Sequence, residues 1–189
     1  MKIRDSGMPE QKLWESFFDV DTILSGLEIN SGINNLVEIG CGYGTFTIPA
    51  SKRIKGILYA FDIDKEMIKF VKNRIQCESK GNIKLYHKDI IQKTTCLKSG
   101  SIDYVMLFNI LHHENPEELF NEAYRILRPK GKVGIIHWRS DIKTPRGPDL
   151  SIRPKPDEII VLLNKSKWKL IKKTFVLEPY HYGILIMKK

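Results

Sequence analysis

Three glycines, Gly40, Gly42 and Gly44, follow the apolar run Leu36-Val37-Glu38-Ile39 at every second position. A residue without a Cβ lets the backbone approach a ligand closely, so a glycine turn between a strand and a helix is a place for a small polar molecule. Asp62 stands 18 positions beyond Gly44, at the end of the next apolar run, Ile57-Leu58-Tyr59-Ala60-Phe61. A carboxylate there can accept hydrogen bonds from both hydroxyls of a ribose. Glu38 places a charge inside a strand that should be apolar, which is costly unless it orients something polar. His112, His113, His137 and His181 are the candidate bases for neutral pH, His113 the best placed. No two of them have ligand spacing on an expected helix, so no metal is expected.

The elements that position these residues follow from pattern. Apolar runs at Leu36 to Ile39, Ile57 to Phe61, Ile83 to Tyr86, Ile102 to Phe108 and Lys132 to Trp138 read as strands, separated by helical segments. One helix runs from the glycine turn to about Ile54, with Pro49 in its first turn. Asp64 is a fit N-cap for a second helix, through Lys80, whose Met67, Ile68, Val71 and Ile75 share one face; Gly81 suits its C-terminal cap. Asn115, Pro116 and Glu118 predict a third, with the amide capping and the carboxylate reaching back; Pro129-Lys130-Gly131 ends it. After a helix over Pro156 to Asn164, Leu170 to Leu177 and Gly183 to Lys188 are joined by the link Glu178-Pro179-Tyr180-His181-Tyr182, too short for anything but a hairpin. The expected fold is α/β: a doubly wound, mostly parallel seven-stranded sheet with an antiparallel C-terminal hairpin and helices on both faces.

At 189 residues the chain suits one domain, 1–189, with 1–30 as an N-terminal helical lid. Neither a leader pattern nor a run of about 18 apolar residues is present, so the expectation is a cytoplasmic protein with no membrane partner. Cys41, Cys77 and Cys96 lack the paired spacing of a zinc knuckle or redox pair and are expected to be free thiols. The net charge of +9 comes from lysines spread over most surfaces, denser at Lys165, Lys167, Lys169, Lys172 and Lys173. A nucleic-acid partner is therefore possible but is the second choice behind a solvated surface.

Two features separate the cofactor classes. The nicotinamide fingerprint needs its third glycine one position later than Gly44, where Thr45 stands. Glu38 suits a ligand carrying an ammonium group, as the methionine end of S-adenosylmethionine does. Val37-Glu38-Ile39-Gly40-Cys41-Gly42-Tyr43-Gly44 resembles motif I of class I, Rossmann-like, S-adenosylmethionine-dependent methyltransferases. Tyr59-Ala60-Phe61-Asp62-Ile63-Asp64 is similar to their acidic second motif, His87-Lys88-Asp89-Ile90 to the adenine-contacting segment, and Leu127-Arg128-Pro129-Lys130-Gly131-Lys132 to the turn before the fifth strand. Ile102-Asp103-Tyr104-Val105 through Asn109-Ile110-Leu111-His112-His113 is similar to the small-molecule group that includes ubiquinone- and menaquinone-biosynthesis methyltransferases. The resemblance implies a cofactor site of Glu38, Gly40, Cys41, Gly42, Asp62, Ile63, Asp89, Ile90 and Asn109. In it Asp62 meets the ribose, Ile63 one adenine face and Asp89 the adenine amino group; Asp89 could equally be a loop cap.

The acceptor is less defined. Asn109-Ile110-Leu111-His112 departs from the Asn/Asp-Pro-Pro-aromatic motif of enzymes that methylate base amines, which favours a small-molecule acceptor. Trp14, Phe17, Tyr180 and His181 are the candidate acceptor-binding residues, with His113 as catalytic base. The segment Arg139 to Arg153 could wall a pocket for an anionic acceptor, or be an ordinary connection. The alternatives are an RNA or protein methyltransferase using the basic surface, and a cofactor-binding protein without activity. The oligomeric state is not readable.

Overall fold

A computed structural model describes residues 9–78, 81–163 and 166–189, with no account of the side chains of residues 77 and 78. Two short helices, α1 (Gln11–Glu15) and α2 (Val20–Gly26), precede the sheet. Then strands and helices alternate: β1 (Leu36–Ile39), α3 (Thr47–Arg53), β2 (Leu58–Asp62), α4 (Lys65–Glu78), β3 (Ile83–His87), α5 (Ile90–Lys93), β4 (Ile102–Phe108), α6 (Pro116–Ile126) and β5 (Leu127–Trp138). A 3-10 turn (Leu150–Ile152), α7 (Pro156–Leu162), β6 (Trp168–Leu177) and β7 (His181–Lys188) complete the chain. The expected helix ends at Lys80 and Asn164, the Cys77 side chain and Lys165 fall outside the described residues.

The seven strands form one sheet in the order β3-β2-β1-β4-β5-β7-β6. β1 to β5 are parallel; β7 runs antiparallel to β5, and β6 antiparallel to β7. Both faces of a parallel sheet are covered by its crossover helices, which is why all four residues of β1 are buried. The pleat sorts side chains into two cores. Tyr104, Met106 and Phe108 of β4 pack with α2, α3 and Val71 of α4, while Val105 and Leu107 pack with Leu119, Phe120 and Ala123 of α6. By the same alternation Leu36 and Glu38 point toward α3.

Two local expectations are corrected and a third is decided between its alternatives. His181 and Tyr182 belong not to the link but to β7, opposite Trp138 and His137. Pairing with β5 continues to the end of that strand, so the connection shrinks to Glu178-Pro179-Tyr180. At α6, Asn115 is the N-cap residue but its side chain makes no capping bond. Its backbone N–H instead donates to Nδ1 of His113 at 3.0 Å, so the donor that Glu118 was expected to satisfy is already engaged. The segment Arg139 to Arg153 is a connection closed on itself. The guanidinium of Arg153 is buried and donates to the carbonyls of Pro148, Arg139 and Arg146 and to Thr144, while Arg139 pairs with Asp141.

The amino-terminal helices are held by aromatic packing on the end of β5. Trp138 is fully buried, with Phe17 at 5.6 Å, Trp14 at 6.1 Å, Tyr180 at 6.2 Å and His181 at 4.2 Å between ring centroids. Phe18 lies 4.6 Å from His181 and 5.1 Å from Phe46. Such pairs add to the burial of large apolar surface. Replacing Trp138 by Ala should cost about 3–5 kcal/mol, as truncation of a buried Trp does. For a chain of this size that lowers Tm by about 6–20 °C, measurable by calorimetry or circular dichroism; a shift under a few degrees would show that the cluster does not anchor the helices.

Candidate active site

At the carboxyl ends of β1, β2 and β4 the chain opens into a cleft of about 620 Å³. Its floor is the turn after β1. Gly40, Gly42 and Gly44 all have positive φ (81°, 50° and 76°), a region that glycine enters without steric cost. A Cβ on Gly40 would come within 2.8 Å of Ile110, so the loop after β4 folds directly over this turn. The backbone N–H groups of Gly40 and Cys41 donate to the carbonyl of Phe61, at 2.8 and 3.1 Å.

Asp62, the last residue of β2, ties the floor to the next turn. One carboxylate oxygen accepts from the N–H of Gly42 at 2.8 Å, the other from the N–H of Asp64 at 2.9 Å. Each oxygen keeps a second lone pair. Burial raises the Asp62 pKa above the ordinary carboxylate value, against the pull of these N–H donors. Glu38 is fully enclosed and shares a 2.5 Å hydrogen bond with the Thr47 hydroxyl of α3. Desolvation pushes its pKa up to about 8. Burial likewise raises the Cys41 thiol; Cys41 and Cys96 are both free.

All nine residues expected to hold a cofactor lie on this cleft: Glu38, Gly40, Cys41, Gly42, Asp62, Ile63, Asp89, Ile90 and Asn109. Ile63 is 40% exposed although apolar, at the cleft mouth. Asp89 caps α5, accepting from Ile91 and Gln92 N–H through one oxygen. Asn109 follows β4 with φ of 56°, uncommon for a residue with a side chain. Both polar atoms of its amide are buried without a hydrogen-bond partner among the described residues. Buried polar groups are rarely left so, and an unsatisfied amide beside a cleft marks a place where a ligand completes the bonding.

The acceptor-side expectations divide. Trp14 and His113 line the cleft; Phe17, Tyr180 and His181 do not. Phe17 meets Tyr180, and all three meet Trp138 one layer behind it, because pairing of His181 with Trp138 draws the ring into the sheet. His181 has both ring nitrogens buried and unpartnered, and burial lowers its pKa to about 3. His112, one of the candidate bases, also lines the cleft, and the walls not foreseen from sequence are Phe46, Phe108, Ile110 and Leu119. Phe108 was within reach of sequence reasoning, since ligands bind beyond the carboxyl ends of strands and it ends β4. Among the described residues, no cluster of three His, Cys, Asp or Glu side chains could hold a metal.

A family model described as a methyltransferase domain matches residues 37–135. The chain belongs to that methyltransferase domain family. The match runs from β1 through most of β5 and so covers the glycine turn, Asp62 and the loop after β4. Among curated proteins, a demethylmenaquinone methyltransferase of Lactobacillus johnsonii is 26% identical over 113 residues, 53% of this chain and 42% of that protein. The chain spans about two-fifths of the length of the curated relatives it matches. Among solved structures, a SAM-dependent methyltransferase from Aquifex aeolicus superposes with a TM-score of 0.82 at 19% identity, covering 95% of this chain and 94% of that one. A Sulfolobus solfataricus protein assigned to the type 11 methyltransferases gives a TM-score of 0.70 at 25% identity, covering 89% and 90%. The architecture is the Rossmann-like methyltransferase fold. No helix among the described residues is long and apolar enough to cross a membrane.

The burial of Glu38 has a measurable consequence. Between the ordinary glutamate pKa and about 8 the folded chain keeps a proton that the unfolded chain has released. Stability therefore falls as pH rises through that window, by at most about 1.4 kcal/mol per pH unit. Urea midpoints of the ligand-free protein at pH 5 and pH 8, compared with Glu38→Gln, should show a smaller loss in the variant. An equal loss in both proteins would mean that Glu38 is not the group responsible.

Proposed function

We propose that the chain transfers a methyl group from S-adenosylmethionine to a small, largely apolar acceptor, as one domain whose amino-terminal helices close the cleft. The observation that carries this reading is the carboxylate of Asp62, buried at the cleft floor with one N–H donor on each oxygen and a lone pair left on each. Two adjacent ribose hydroxyls supply the two missing donors. Ile63 then covers one face of the adenine and Asp89 takes its amino group. The fit extends to charge: Glu38 and Asp62 are carboxylates whose pKa values are raised by burial and, secondarily, by the charge of a neighbouring carboxylate. The cofactor carries two positive groups, an ammonium and a sulfonium. Asn109, with its unpartnered amide, faces the same ligand.

When bound, the cofactor supplies a methyl group already activated on sulfur. The work left to the chain is positioning and exclusion of water. Trp14, Phe46, Phe108, Ile110 and Leu119 give the acceptor end an apolar wall that favours a ring or an alkyl group over phosphates. Phe17, Tyr180 and His181 act on the acceptor through Trp14 and Trp138, by fixing the helix that bears Trp14. His113 serves as a donor. Its Nδ1 accepts the Asn115 N–H, so its neutral ring carries the proton on Nε2 and can orient an oxygen of the acceptor.

Calorimetric titration tests the reading. S-adenosylmethionine and its demethylated product should bind, and NAD far more weakly; tight NAD binding without S-adenosylmethionine binding would overturn it. Asp62→Ala should weaken cofactor binding by about 1.5–3 kcal/mol, since charge-assisted hydrogen bonds are lost. Asp89→Ala should weaken it less, while costing about 0.5–2 kcal/mol of stability through loss of the α5 cap. Equal or reversed affinity losses would count against the assigned roles.

A further inference from the structure

Tyr43 stands between Gly42 and Gly44, whose positive φ sets the course of the turn that floors the cleft, yet Tyr43 itself does not line it. Its hydroxyl donates to the carbonyl of Pro9 at 3.1 Å, and its own carbonyl accepts from Nη1 of Arg74 at 3.0 Å. The same nitrogen donates to Oε1 of Glu15 at 2.7 Å, an oxygen that also takes the side-chain amide of Gln11 at 3.0 Å. Pro9 leads into α1, and Gln11 and Glu15 are its first and last residues. On α4, Phe70 meets the Tyr43 ring at 5.2 Å between centroids and Val71 packs against Gly44. Residues three and four apart share a helix face, so the face of α4 that supports the turn also presents Arg74 to α1.

α1 depends on such holds. It has five residues, none of them buried, and a helix that short is not stable by itself. Its apolar hold is Trp14, which meets Phe18 and Trp138 at 5.0 and 6.1 Å. The polar hold is the Arg74–Glu15 pair, sheltered at 20% and 33% side-chain exposure, where salt screens it less than it would a pair in open solvent. We propose that Tyr43 and Arg74 are positioning residues that couple the cofactor turn to Trp14, so that a ligand on the turn and α1 seated at the cleft stabilise each other. This rests on the methyl-transfer reading above. A turn fixed by a ligand at Gly40 and Gly42 keeps the Tyr43 hydroxyl at Pro9 and its carbonyl at Arg74. Arg74 in turn holds Glu15, and α1 keeps Trp14 in the wall of the acceptor end. Such coupling is reciprocal: whatever the ligand adds to the seating of α1, the seated α1 returns to the affinity for the ligand.

The test is hydrogen exchange of the full chain, followed by mass spectrometry over residues 11–17, with and without saturating S-adenosylhomocysteine. In the wild type the ligand should slow exchange of this segment by about fivefold or more. Tyr43→Phe removes the hydroxyl that holds Pro9, and Glu15→Ala releases Arg74 from α1; each should at least halve that ratio. Affinity for S-adenosylhomocysteine, measured by calorimetry, should fall in each variant by the factor by which its ratio drops. A merely structural role would speed exchange equally with and without ligand, leaving the ratio and the affinity as in the wild type. That result in Tyr43→Phe removes Tyr43 from the coupling, and in Glu15→Ala it removes Arg74. A wild-type segment whose exchange the ligand does not slow overturns the coupling whatever the variants do. The calorimetry of the wild type separates the two failures. Absence of S-adenosylhomocysteine binding removes the methyl-transfer reading, whereas binding without slowed exchange removes the coupling alone.

Discussion

The two hydrogen bonds accepted by Asp62 join what would otherwise be separate loops. Gly42 belongs to the turn after β1 and Asp64 to the turn that starts α4, and one carboxylate fixes both. The second turn is continued by Asp64, whose own carboxylate accepts the N–H of Glu66 and so starts the helix. Parallel pairing of β1 with β2 aligns the strand ends, with Ile39 opposite Phe61. Asp62 thus emerges one residue beyond that pair, level with the glycine turn. A shift of one residue would send its side chain to the opposite face. The cleft floor is consequently a product of strand register, and the loops around it are free to differ.

That dependence explains what could be read from the chain. The interval between Gly44 and Asp62 is meaningful because it spans one strand–helix–strand crossover with fixed ends, so sequence distance maps onto spatial distance. The parallel strands were legible as nearly continuous apolar runs, and the hairpin from the shortness of its link. The extent of β7 was not, because His181 and Tyr182 look like loop residues until their partners on β5 are known. Asn115 misled for a local reason: a helix-capping pattern counts donors and acceptors within a few residues, and the imidazole of His113 entered the count from outside the pattern. The segment Arg139 to Arg153 was legible only as a choice. A wall for an anionic acceptor and an ordinary connection were both open there, and Arg153 decides for the connection by donating to the carbonyls of Pro148, Arg139 and Arg146.

The acceptor side is the least legible because it is assembled across elements without local sequence relation. Trp14 comes from α1, Phe46 from the glycine turn, Phe108 from the end of β4 and Leu119 from α6. What brings the first of these into place is Trp138, on the far side of the chain order. The aromatic residues at 14, 17 and 18 were recognisable as a cluster, but their division was not. Phe17 and Phe18 are buried and secure the layer, and Trp14 alone among them reaches the cleft.

Glu38, Asp62 and His137 show how one sheet holds different protonation states side by side. Glu38 and Asp62 lie at the ends of adjacent strands and both are disfavoured as anions by burial. Glu38 is the more enclosed of the two, with a hydroxyl partner and no backbone N–H, and it keeps its proton to higher pH. On the other side of β4, His137 is held neutral by the same desolvation acting with opposite sign on a base. An approaching cation therefore finds carboxylates whose ionisation it would itself favour, while burial opposes positive charge on the His137 ring. The strand order, with β1 between β2 and β4, is what keeps these two environments on opposite sides of the glycine turn.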